Sequence, residues 1–352
     1  MVDAEKAVTA VFSHRTESIT IAVQDSEGKG VSGVRIEFTD GSKAIETDVR
    51  GIAILNTTAS STIACPFLED HAFEPQAAIV EKGDDVVFTA SPQPYRSSRY
   101  YELTFNPVVF NDVDGKQRLN PFSSAKIREA MNRLIDRDYV THSFFGESAT
   151  PIVTFVKPDT FDHEFLSDVH QELEELYSYN KEAAEAVIKD EMVALGAELV
   201  DDRWLFDGEE VELVLILRDS PEEYAALGEY IAAELTSIGF KIDKRIVPAV
   251  QATQIWMMSD PRDGLWHMTV GGWISAAVQP LQGHLLAQFY TPLFMQQPLW
   301  HAYEPEQALL DAAVKLRDEK FESVAERKDT FAEGLELALK YSVRVWLVFM
   351  PD

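Results

Sequence analysis

Cys65 is the only cysteine in the chain, which excludes an intramolecular disulfide framework and any metal site built from several thiolates. Basic residues are also scarce, with 31 Lys and Arg against 59 Asp and Glu and a formal net charge of -28. Phosphate recognition needs clustered cations, so this balance argues against a nucleic-acid partner and disfavours an anionic membrane surface. No uncharged apolar run reaches the roughly 18 residues of a spanning helix. The opening Met-Val-Asp-Ala-Glu-Lys has neither the basic region nor the apolar run of a signal peptide. The expectation is a protein that does not span a membrane, with any export signal or anchor outside this chain.

Catalytic signatures are missing too. No Gly-x-Ser-x-Gly elbow occurs, and Gly146-Glu147-Ser148 is a chance neighbour of one. The eight histidines are scattered, and His163-Glu164 lacks the second His that a zinc helix places four residues on. No nucleophile and base can be paired, so no catalytic residue, metal or cofactor is expected and the chain reads as a non-enzyme.

What is present is 352 residues, 46% of them hydrophobic, enough for two or three domains with real cores. Residues 1–90 read as a small all-β sandwich. Ile19, Ile21 and Val23 alternate with polar residues, as do Val34, Ile36 and Phe38, then Ile52 and Ile54, then Val86 and Phe88. Asp25-Ser26-Glu27-Gly28, Asp40-Gly41, Asp48-Val49-Arg50-Gly51 and Lys82-Gly83-Asp84 punctuate them as turns. Gly28 to Gly33 fits a dinucleotide-binding glycine pattern, but another alternating strand follows it where that motif needs a helix. Asn56-Thr57-Thr58 is a glycosylation sequon, a pattern short enough to arise by chance. Ser91 to Ser98, with prolines at 92 and 94, breaks the ladder and reads as a linker.

From Arg99 to the end, strands and helices interleave as an α/β (α+β) layered unit with a mixed sheet and flanking helices. Ser123 or Ser124 can cap a helix whose Ile127, Ala130, Met131, Leu134 and Ile135 form one apolar stripe. Asn180 can cap a second helix that Gly196 stops. Ser220-Pro221-Glu222-Glu223 and Ser323-Val324-Ala325-Glu326 have the form of capping boxes. The strand over 211–217, the helix after it and the strand over 240–246 favour a parallel crossover. Asn111-Asp112-Val113-Asp114-Gly115 is dense in oxygen ligands, but it lacks the spacing and distal Glu of a calcium loop.

Several strings carry a resemblance. Leu103-Thr104-Phe105-Asn106-Pro107, Asn120-Pro121-Phe122-Ser123, Ile127-Arg128-Glu129-Ala130-Met131-Asn132-Arg133-Leu134, Gly271-Gly272-Trp273, Phe289-Tyr290-Thr291-Pro292 and Ser342-Val343-Arg344-Val345-Trp346-Leu347 occur in an order that resembles the extracellular solute-binding proteins of family 5, the peptide and oligopeptide receptors of ABC importers. The resemblance covers about residues 99–350 and implies a periplasmic-binding-protein-like lobe, the second of that family's two, with the first lobe missing. It also implies an extracellular, cell-surface or periplasmic setting, a peptide or small organic ligand, and an ABC permease as partner. The segment from Gly30 to Ile36 followed by Thr47 to Ala53 is similar to Ig-like modules of the carboxypeptidase-regulatory type. The domain expectation is an Ig-like sandwich at 1–90, a linker at 91–98 and the lobe at 99–352. Self-assembly at the cell surface, with the lobe kept as a scaffold, is the alternative.

Open α/β sheets leave a crevice at the carboxyl ends of their strands, which nominates Arg218 and Asp219 after one strand and Gly271, Gly272, Trp273, Ile274 and Ser275 after another, read over 266–270. Trp273 offers a flat wall, and the glycines let backbone amides approach a ligand. The resemblance implies a carboxylate a few residues after this Trp to pair with a ligand ammonium, yet Ser275, Ala276 and Ala277 are uncharged.

Overall fold

A computed structural model describes residues 18–93, 97–113, 115–275, 279–294 and 297–351. The front of the chain forms β1 (Ile19–Gln24), β2 (Arg35–Phe38), β3 (Ile45–Glu46), β4 (Ile52–Leu55), β5 (Ser61–Phe67), β6 (His71–Glu74), β7 (Ala78–Glu81) and β8 (Asp85–Pro92). These make two four-stranded sheets, ordered β4-β1-β8-β6 and β3-β2-β5-β7, whose facing residues bury one core of Ile19, Ile21, Val23, Ile36, Phe38, Val80 and Phe88. Alternation places these side chains on one face of each strand. In β4 the phase is the reverse of that expected: Ala53 and Leu55 face the core and Ile54 is 39% exposed. The Gly28 to Gly33 segment leads into β2 and no helix, as its surroundings require.

The rest of the chain is built on a six-stranded sheet. Its elements are β9 (Ser98–Phe105), α1 (Ala125–Leu134), α2 (Arg137–Phe144), β10 (Thr150–Pro151), α3 (Phe161–Phe165), α4 (Ser167–Leu176) and α5 (Lys181–Ala194). A small sheet of β11 (Glu198–Val200), β12 (Arg203–Phe206) and β13 (Glu209–Glu210) follows. Then come β14 (Glu212–Arg218), α6 (Glu222–Ser237), β15 (Lys241–Val247), α7 (Ala249–Met258), β16 (Met268–Ser275), α8 (His284–Tyr290), α9 (Pro298–Ala302), α10 (Gln307–Asp318), α11 (Val324–Lys340) and β17 (Arg344–Pro351). The order in the large sheet is β10-β17-β9-β16-β14-β15. β14 runs parallel to β15 and β16, while β9 is antiparallel to β16 and β17, so the sheet is mixed. Helices cover both faces. Tyr101, Leu103 and Phe105 of β9 join a core with α1, α5 and α6, and Tyr100 joins a second core with α4, α8, α10 and α11. β14 is buried from Leu213 to Leu217, as a strand covered on both sides must be.

Helix ends follow local chemistry. Asn180 Oδ1 accepts the amide of Ala183 at 3.0 Å, and Ser124 Oγ caps α1 through the amide of Ile127. α6 differs from expectation: Pro221 is its cap residue and no side-chain oxygen accepts a capping bond, so the helix begins at Glu222 without a box. At α11 the box is shifted on one arm. Ser323 Oγ accepts from Glu326 N at 3.2 Å, but the Glu326 carboxylate accepts from Glu322 N at 2.9 Å. Asp114 of the acidic loop and residues 94–96 of the expected linker lie outside the described residues.

The sandwich is packed on the larger unit through specific bonds. Phe321 N donates to Thr39 O (3.0 Å), Ser60 N to Glu322 O (3.1 Å), and Val324 N to Ser61 Oγ (3.0 Å). Gln76 clamps both sides, donating from Nε2 to Asp159 O (2.7 Å) and accepting Phe161 N (3.0 Å). Ile63, Cys65, Ala77 and Val324 share a small core beside this seam. Burial pushes the Cys65 thiol up to about 12, which keeps it protonated and inert at neutral pH. Behind the seam Arg327 lies wholly buried between Asp162 and Glu319. Burial works against its charge, but the two carboxylates outweigh it and raise its pKa.

Candidate functional site

Arg218 ends β14, but 271–275 do not follow a strand as expected: β16 runs on through Ser275 because β9 pairs with it along its whole length, and alternation divides these residues. Gly271, Trp273 and Ser275 pair with Glu102, Tyr100 and Ser98 of β9 and share their face; Gly272 and Ile274 point to the other. Trp273, Gly271 and Ser275 are therefore brought together, and Ile274 stands apart at 67% exposure. Arg218 lies on the side of Gly272: its guanidinium sits 5.5 Å from the Tyr224 ring centre, and the Tyr224 hydroxyl is within van der Waals reach of the Gly272 Cα. A Cβ on Gly272 would also come 2.9 Å from Tyr100 O, so only glycine fits there. Asp219 is exposed, and its amide is bonded to Val247 O at 3.0 Å. Ala276 and Ala277 lie outside the described residues.

Around Trp273 stands a polar group that the sequence reading missed. Glu102 of β9 and Arg344 of β17 are both 0% exposed and ion-paired to one another. Glu102 Oε1 also accepts Trp273 Nε1 at 2.7 Å and Thr104 Oγ1 at 3.1 Å. Arg344 donates to Phe289 O at 3.0 Å and to Thr104 Oγ1 at 2.9 Å, and its guanidinium lies 5.2 Å from the Trp273 ring centre. Trp273 is thus fixed at its edge by a carboxylate and on its face by a cation. Glu102 Oε2, Arg344 Nη2 and the Tyr100 hydroxyl make no hydrogen bond among the described residues, and burial raises the Tyr100 pKa. Buried polar atoms left without partners cost about 1–3 kcal/mol each.

Lys157 closes the same face. Its Nζ donates to Ser275 Oγ at 2.5 Å and lies 6.0 Å from the Tyr100 ring centre, and burial brings its pKa down to about 8. The only advance sign of Glu102 was the in-phase alternation of Tyr100, Glu102 and Thr104; Lys157, in an irregular segment, carried no sign. The chemistry on offer is binding: a flat aromatic held by a buried ion pair, with the Lys157 ammonium beside it. Buried His267 accepts Val214 N at 3.0 Å, and burial takes its pKa down to about 3. Among the described residues no group of three or more His, Cys, Asp or Glu side chains could hold a metal ion. No helix among them is long and apolar enough to cross a membrane.

No curated protein matches the chain significantly. Among solved structures, NikZ from Campylobacter jejuni in complex with Ni(L-His) aligns with TM-score 0.52 and 15% identity over 73% of this chain and 46% of its own. The oligopeptide-binding protein AppA from Bacillus subtilis, in complex with a nonapeptide, aligns with TM-score 0.53 and 11% identity over 84% and 60%. The periplasmic EDTA-binding protein EppA aligns with TM-score 0.51 and 12% identity over 99% and 52%. At these identities the likeness is one of fold, and the chain spans about half the length of these structures. The model of the bacterial extracellular solute-binding proteins, family 5 Middle, matches residues 70–290; it begins within the sandwich, ahead of the expected start at 99. With well over half of its length matched, this chain belongs to the bacterial extracellular solute-binding proteins of family 5.

Proposed function

We propose that the chain is the solute-binding component of an ABC-type importer and that it holds its ligand without transforming it. The ligand, a peptide or another small organic solute, lies at the carboxyl ends of β14 and β16, against Arg218, Asp219 and the 271–275 segment, with Trp273 as its flat wall. Family membership over residues 70–290 is the observation that carries this reading. The buried Glu102–Arg344 pair supports it, because it holds Trp273 in one orientation before any ligand arrives. An ABC permease is the partner, the setting is extracellular or periplasmic, and the front sandwich is an Ig-like module followed by a single lobe at 99–352, the linker expected at 91–98 being shortened because Ser91 and Pro92 pair in β8 and Ser98 in β9.

A thermal-shift screen of the chain with peptides, sugars and metal chelates tests this. A ligand at a hundred times its Kd stabilises the folded state by about 2.7 kcal/mol, and Trp273→Ala is expected to remove that shift. A ligand whose shift survives Trp273→Ala and Gly272→Ala would place the site elsewhere. A panel without any response would defeat the reading. The assembly alternative draws on the seam between sandwich and sheet, which makes the two a continuous body suited to serve as a building block. Light scattering after size exclusion decides it, since a strict monomer at high concentration excludes self-assembly.

A further inference from the structure

On the side of the molecule where the sandwich meets α3 lies a crevice of about 640 Å³, within the range of small-molecule sites. Gln76 forms part of its lining and is fixed by its two bonds across the seam. One wall is apolar from the sandwich, with Ile79 49% exposed on β7. The opposite wall is aromatic: Phe161 and Phe165 stack at 5.7 Å between ring centres with 15° between planes, and both rings are only partly covered. Three exposed carboxylates, Glu74, Asp159 and Glu164, also line the crevice, and its lining contains no Lys or Arg.

We propose that this crevice is a second binding site, distinct from the Trp273 face, for a small organic ammonium ion carried on an apolar or aromatic body. The body lies between Ile79 and the stacked rings, where it removes exposed apolar surface from water. The ammonium faces the carboxylates and the ring faces, which attract cations. One ring already shows this preference. Lys328 Nζ lies 5.7 Å from the Phe165 centre while it pairs with Asp168 at 2.8 Å. An anion would meet three carboxylates with only the His163 imidazole in the lining, and Lys328 on the far ring of the stack, to offset them, and a neutral body would gain only the apolar part. Because the two walls belong to different units, the ligand would bridge the seam that Gln76 holds.

Phenethylamine tests the proposal on the complete chain, with 2-phenylethanol and 3-phenylpropionate as neutral and anionic counterparts, read by calorimetry and by chemical-shift changes. Phenethylamine is expected to bind saturably with a Kd of about 1 mM or tighter. The alcohol should be at least about tenfold weaker, and the acid silent. Glu74→Gln with Glu164→Gln should weaken the amine by about tenfold, and so should Ile79→Lys, which alters an exposed position and leaves the fold intact. Variants are checked for unchanged melting. Equal binding of amine and alcohol, insensitivity to Ile79→Lys, or no saturable binding would overturn the proposal. So would loss of the amine on Trp273→Ala, because that would move it to the Trp273 face.

Discussion

Replacing Arg327 by Met probes how the buried charges behind the seam are balanced. Arg327 donates to Asp162 at 2.6 and 3.0 Å and to Glu319 at 3.0 and 3.1 Å. The Arg327 and Asp162 side chains are 0% exposed, whereas Glu319 keeps 22% and can turn toward water. In the variant Asp162 keeps the Gln282 amide at 2.5 Å as a donor but has no counter-charge within the triad. Removing one partner of a buried pair costs about 3–5 kcal/mol, and the reach of Glu319 to solvent places the expected loss near about 4 kcal/mol. Asp162→Asn with Arg327→Met removes both members, so the double variant should lose less than the two singles combined, with a coupling of about 2 kcal/mol. Urea unfolding followed by tryptophan fluorescence measures this on the larger unit, because all six tryptophans lie between 204 and 346. A loss below about 1 kcal/mol for Arg327→Met, or strictly additive singles, would refute the account of the triad.

Three further outcomes are expected. His170 is held at about 4 by burial and by the adjacent His163, so the folded state stays neutral where the unfolded chain takes up a proton. Its contribution is complete above about pH 6.5 and is lost as pH falls toward 4; His170→Asn should flatten the stability profile there by up to roughly 3 kcal/mol, read as the difference between two acid titrations. Gly272→Ala forces a methyl against the Tyr224 hydroxyl and Tyr100 O and should cost about 1–3 kcal/mol in denaturant melts; an unchanged midpoint would contradict the packing. Gln76→Ala deletes both clamp bonds and leaves Phe161 N without its acceptor, worth about 1–3 kcal/mol, and should speed limited proteolysis of the chain; equal cleavage rates would show that the clamp does not hold the seam.

Elements with strong local signals were legible before any coordinates. The stripe from Ile127 to Ile135 is buried throughout, and the 212–247 stretch forms the parallel crossover that its alternation and helix period require. Where burial is two-sided or the signal short, sequence failed. In β4 both Ile52-Ile54 and Ala53-Leu55 fit alternation, and the bulkier pair misled, because the tight space between the sheets takes Ala53. The α6 box failed because Pro221 displaced the cap by one position. At the candidate site Trp273 and its glycines were visible as a string. Glu102 and Arg344, 242 residues apart, join only when β9 is inserted between β16 and β17, a pairing that no local pattern encodes.

That insertion bears on how the molecule is made. β9 is synthesised long before β17, and one of its flanks remains a bare edge until β17 pairs with it. Such distant closure slows folding and leaves the strand segment Tyr100 to Phe105, buried in the native state, open to mispairing in the interval. A nascent chain halted before Arg344 would leave that flank of β9 uncovered, and pairing of β17 would be the step that covers it.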